Sequence, residues 1–188
     1  MHQGGFTFGI QFPTRLGPGL RGLADCCHLT HNSPHRRHMK ATMYIADSKR
    51  LTHAGARKMM AIAIDEAHKA KVAISCCITD AGGHIVVLER MDGGRFHTLH
   101  SSTTKAVCAA SNRRATTAKG AAGQDLDVMH ALGLALAAGS QRWTAMEGGV
   151  PVLVDGECVG GVGVSGGDWQ TDLRIAQAAV EAIGASWK

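Results

Sequence analysis

Residues 47–71 place Leu51, Ala54, Met59, Ile62, Ala63 and Ala67 at roughly helical spacing, with Arg57, Lys58, Asp65 and Lys69 between them. That pattern predicts an amphipathic helix with Asp47, Ser48 or Thr52 as its N-cap. The period then changes. Residues 72–79 are rich in β-branched and small apolar side chains, Asp80-Ala81-Gly82-Gly83 follows, and residues 85–88 are again strand-like. A hairpin is expected, its glycines supplying the positive φ of the turn and Asp80 bonding its own backbone. Residues 98–111 are helix-compatible, and their Ala, Ser and Thr predict close packing on a neighbour. Residues 112–124 read as a helix or an ordered loop, and 125–138 as a helix ending at Gly139. A short strand is expected at 143–146. Residues 150–154 and 158–165 flank Asp155-Gly156 as a second hairpin, and 171–183 close the chain with an amphipathic helix. This order predicts an α+β fold, with one mostly antiparallel sheet of five strands covered by helices.

Gly161-Val162-Gly163 lies inside a strand, not between a strand and a helix, so no dinucleotide fingerprint is read there. Glycines in a strand instead mark a close approach to another backbone.

Composition alters this picture in one place. The chain has 188 residues, 45% hydrophobic and 19% charged, with a formal net charge of +5. Arg15, Arg21, Arg36, Arg37 and Lys40 stand against Asp25 in residues 1–42, whereas 43–188 are nearly balanced. The basicity therefore belongs to the leader, and no basic stripe with interleaved aromatics supports nucleic-acid binding in the rest. Residues 1–42 also hold Pro13, Pro18 and Pro34 and keep no period, so they read as an irregular leader, and 43–188 as the folded domain. His28, His31, His35 and His38 beside Cys26 and Cys27 resemble a metal patch, but a solvated tail, or a start at Met39 or Met43, is the expectation preferred. Neither a secretory signal nor a run of ~18 apolar residues is read, which points to a cytoplasmic location without membrane contact. Cys76 and Cys77 are vicinal and must face opposite sides of a strand, so they are expected as small hydrophobes.

Four motifs are familiar in their order. Residues 78–93 (ITDAGGHIVVLERMDG), Lys105-Ala106, Gly148-Gly149-Val150-Pro151 and residues 159–166 (VGGVGVSG) resemble the GlcG/HbpS family, which includes the C-terminal domain of PduO. The resemblance runs from about Leu51 to Ile183. It implies α-β-α layers around a five-stranded antiparallel sheet and assembly as homo-oligomers. It leaves function open between three classes.

One is a cofactor-independent lyase converting 4-hydroxylaminobenzoate to protocatechuate and ammonia. That chemistry needs an acid for the departing hydroxyl, a base or oriented water, and a cation for the carboxylate. Asp92, Glu147 and His100 are the candidate catalytic residues. Arg90 and Lys105, with Gly148 and Gly149, are the candidate substrate-binding ones, and no metal is called for. The substrate would be a small aromatic carboxylate. The alternative is a haem-binding, haem-handling or redox-sensing protein, with His84, His97, His100, His130 or Met91 as axial donor. The third is a non-catalytic accessory protein of a catabolic pathway.

Overall fold

In the computed structural model, residues 44–188 are described. The expectations for residues 1–42, including the Cys26, Cys27, His28, His31, His35 and His38 patch, lie outside the described residues.

The first helix, α1 (His53–Ala70), starts at Thr52, whose hydroxyl accepts the N–H of Gly55. Of the three N-cap candidates, this is the one that satisfies an orphan donor of the first turn. Its buried stripe is Ala56, Met59, Met60, Ala63 and Ala67, one position round from the expected face, so that Ala54 is exposed. Two strands follow, β1 (Ser75–Asp80) and β2 (Ile85–Arg90), then α2 (Thr98–Asn112) and α3 (Val128–Ala138). The second hairpin is β3 (Gly149–Val154) and β4 (Glu157–Ser165), and α4 (Trp169–Glu181) closes the fold. At the second turn both Asp155 (φ 50°) and Gly156 (φ 78°) are left-handed, the mirror-image turn that matches strand twist.

All neighbouring strands are antiparallel, in the order β2-β1-β4-β3. The sheet has four strands, not the five expected, and the missing one is the segment 143–146. There the Thr144 hydroxyl accepts the N–H of Met146 and the Thr144 carbonyl accepts the Cys108 thiol. Local side-chain bonds thus occupy backbone groups that a ladder would need. The free edge of β3 is met by Ser186 instead, which exchanges two backbone bonds with Leu153 at 2.7 and 2.8 Å.

The strands alternate by size. Cys76 and Ile78 of β1 and Val162 and Val164 of β4 pack with α1 and α4 in one continuous core. The opposite face carries Ser75, Cys77, Thr79, Gly161 and Gly163, with Gly149 from β3, and α2 lies on it. A Cβ on Gly161 would collide with the Ala106 carbonyl oxygen, one on Gly163 with that of Ser102, and one on Gly149 with that of Lys105. The α2 backbone therefore rests directly on the sheet, as the strand glycines predict. Helices cover both faces of the sheet in α-β-α layers. Among the described residues, no helix is long and apolar enough to cross a membrane.

Because that contact is between backbones, Gly163→Ala is expected to cost about 3 kcal/mol or more, or to prevent folding. Gly133→Ala in α3, where a Cβ meets nothing within 4 Å, should be neutral or stabilising by up to about 1 kcal/mol. Urea unfolding of the two variants checks the contrast.

Candidate functional site

Asp80 ends β1 and organises the turn into β2. Its Oδ1 accepts the N–H groups of Gly82 and His84, each at 2.9 Å. The His84 Nδ1 lies 3.2 Å from both carboxylate oxygens. Burial works to raise the Asp80 carboxyl, but the His84 N–H and ring and the Gly82 N–H outweigh it and hold it below its ordinary range. The imidazole folds back over Gly82, where a Cβ would come within 2.9 Å of it. With the Nδ1 proton directed at Asp80, the Nε2 lone pair of His84 is left for another partner.

The turn touches α2 through Gly83, which has φ 81° and faces Val107. Thr103, Val107 and Ser111 recur every four residues and form one stripe of α2. That stripe borders the turn while Ser102 and Ala106 of the same helix occupy the sheet. Ala138, Gln141, Arg142 and Trp143 supply the third wall, and the cavity so enclosed measures about 660 Å³. A smaller cavity of about 330 Å³ adjoins it, lined by Leu88, Leu99, His100 and Thr104. The two share Ile85, Thr103 and Gln141, so they form one groove along the edge strand β2. Its chemistry is two imidazoles and the Arg142 cation on walls of Ile85, Leu88, Leu99 and Val107. The Cys77 thiol is under the same helix, but burial pushes it up to about 11 against a hydrogen bond from Thr103. It stays protonated at neutral pH and supplies no thiolate.

The family model described as "Haem degrading protein HbpS-like" matches residues 51–181. The chain belongs to the HbpS-like family. Protein GlcG of Escherichia coli K12 is 35% identical over 115 residues, which is 61% of this chain and 81% of GlcG. Among solved structures, Klebsiella pneumoniae ORFY has a TM-score of 0.65 at 31% identity, covering 74% of this chain and 94% of ORFY. A PduOC:heme complex has a TM-score of 0.64 at 26% identity, covering 74% and 99%. These likenesses support the family and give the lyase expectation no support.

The residues expected to serve that lyase do not all meet. Arg90 and Asp92 are exposed at the end of β2 opposite His84, about 17–20 Å along the strand. Glu147, Gly148 and Gly149 enter β3, on the other edge of the four-stranded sheet, about 14 Å across three strand spacings. His100 is the member of the set that lines the groove. Lys105 is 4% exposed, and its Nζ donates to the Val164 carbonyl at 2.8 Å and to Asp172 Oδ2 at 3.1 Å. It is therefore a buried structural cation tying α2 to α4, not an open carboxylate-binding group. Gly148 sits against it with φ 101°, and a Cβ there would lie 2.9 Å from Nζ. Asp172 was missed by sequence reading, although an acid inside an otherwise apolar stripe of α4 was its signal. Asp172 Oδ1 also accepts the Gly167 N–H at 2.9 Å, so both carboxylate oxygens are satisfied.

Of the other haem-ligand candidates, Met91 packs against the α1/α4 core. His97 stacks edge-on with Phe96 at 5.7 Å, and His130 is exposed on α3. The separate readings of Asp80 as a turn residue and His84 as one of several donor candidates overlooked that the two form a pair.

Removing one partner of the Lys105–Asp172 pair leaves a buried charge. Lys105→Met is therefore expected to destabilise by about 3–5 kcal/mol, with much of the loss recovered in Lys105→Met/Asp172→Leu. Urea denaturation of the single and double variants measures it.

Proposed function

We propose that this protein binds haem in the groove along β2, where His84 would hold the iron and His100 would offer a second imidazole. The observation that carries the reading is the Asp80–His84 pair on the groove wall. A carboxylate on one ring nitrogen is the usual way of fixing a metal-binding imidazole and raising its basicity. The rest of the lining fits the same group. The cavity falls within the ~300–1,000 Å³ of ordinary cofactor sites. Ile85, Leu88, Leu99 and Val107 offer apolar surface to a macrocycle, and Arg142 offers a cation to its carboxylates. Haem held there would supply a redox-active iron. The chain's own part is to grip it, orient it and limit water on one side. The family description and the PduOC:heme likeness favour this reading over the lyase. The working unit is taken to be a homo-oligomer, as the resemblance implies.

Titration of the purified protein with hemin is expected to give a sharp Soret band at about one equivalent per chain. His84→Ala should shift that band and weaken affinity by about tenfold or more. Asp80→Asn, which keeps an oxygen for the turn but loses the carboxylate, should weaken it by a smaller factor. A Soret band untouched by both His84→Ala and His100→Ala would sink the assignment.

A further inference from the structure

Among the described residues, helix α3 is the one element without a packing partner. Its sequence, VMHALGLALAA, contains no Asp, Glu, Lys or Arg. None of its residues is buried, and among the described residues no other helix or strand packs against it. Val128 is 81% exposed, Met129 74% and Leu136 72%. Val128, Leu132 and Leu136 follow at steps of four with Met129 beside them, so they form one ridge about 100° wide. Only Ala131 and Ala135, which flank the ridge on its Val128 side, are partly covered. An apolar ridge of this kind on a water-soluble helix marks a surface that something else covers.

We infer that α3 pairs with α3 of a second copy of this chain, about a two-fold axis that passes near Leu132. Three observations select this occupant. The helix spans about 16 Å, roughly half the hydrocarbon thickness of a bilayer, so it does not span a membrane. Its lack of charge calls for an equally uncharged partner surface, and the same ridge on a second copy is one. Burying the four ridge side chains at on the order of 100 Å² each, twice over, covers about 800 Å². That is the scale of a small, weak interface, which forms in a concentration-dependent way. A row of residues at steps of four interdigitates with a copy of itself at a crossing angle of about −50°.

The pairing also reaches the groove. Ala138 is the last residue of α3, and Gln141, Arg142 and Trp143 follow it directly into the groove wall. This wall is anchored at its far side, where the Thr144 carbonyl accepts the Cys108 thiol, and its near side is held only when α3 is covered. The second copy therefore fixes the side of the site that carries Arg142. This last clause rests on the haem reading; the pairing of α3 does not.

The test uses Leu132→Glu and Leu132→Lys in the full chain. Leu132 is half exposed, so circular dichroism should show both variants folded. The wild-type mass in solution, by light scattering at tens of micromolar, should be that of a dimer or a larger assembly. Each variant alone should fall to a lower mass, because like charges meet at the axis, and an equimolar mixture should recover it through Glu–Lys pairing. Hemin affinity should drop about tenfold in each variant and return in the mixture. A monomeric wild type would overturn the pairing and point to residues 1–43 or another partner as the cover. Unchanged mass in both variants, or lost mass that the mixture does not restore, would also overturn it. Lost mass with unchanged hemin affinity would overturn the role in the groove. Failure of the wild type to bind hemin would remove the haem reading and leave the mass measurements to judge the pairing.

Discussion

The contact on which the fold depends is the seating of the α2 backbone on Gly161, Gly163 and Gly149. Helices usually rest on sheets through side chains, at about 10 Å. Here the carbonyls of Ser102, Lys105 and Ala106 come where a Cβ would be, so the helix sits deeper and its orientation is set by backbone shape. That explains the composition of α2 itself, whose buried positions are Ser, Thr, Ala, Cys and one Lys. It also explains why the sheet carries valines on one face and glycines on the other. Once the helix is fixed in this way, Thr103, Val107 and Ser111 can point only toward the β1–β2 turn, and the groove follows from the packing.

Lys105 shows how the same depth creates a demand for charge. A helix pressed onto the sheet brings a lysine stem under the start of β3, where Gly148 leaves space for the ammonium and Asp172 meets it from α4. A buried pair of this kind gives little net stability against two apolar side chains. What it does is tie the two layers at one position, because among the described residues neither charge has another partner of opposite sign within 4 Å. In sequence, a lone lysine on a small, weakly polar helix looks like a ligand-binding group. Only burial distinguishes the two cases, and burial is a property of the packed layers.

Much of the fold was legible from the chain. Thr52 as a cap, the Asp155-Gly156 turn and the glycine stripe of β4 each carry a local physical reason that survives into the structure. The strand at 143–146 failed because Trp-Thr-Ala-Met has strand-like composition while Thr144 satisfies its neighbours locally. The site was less legible, because the groove joins residues from three separate segments. Asp80, His84, Thr103 and Arg142 span more than sixty positions, and no spacing rule links a turn to the residues after α3. The Asp80–His84 pair lies four residues apart and was within reach. It was overlooked because a turn carboxylate that bonds its own backbone already has an adequate explanation without the histidine.

The asymmetry of the molecule bears on both proposals. The end of the sheet holding Gly148, Gly149 and Ser165 is tied down by Lys105 and Asp172 and by Arg95 reaching the Gly166 carbonyl at 3.0 Å. The end holding His84 is open, bordered by an edge strand with Ile85 and Leu88 exposed and by a segment that follows a helix unpartnered among the described residues. Such an apolar opening is unfavourable in water unless something occupies it. A flat macrocycle in the groove and a second copy on α3 would cover different parts of that surface. Each would make the other more favourable, since ordering the segment 138–143 once serves both.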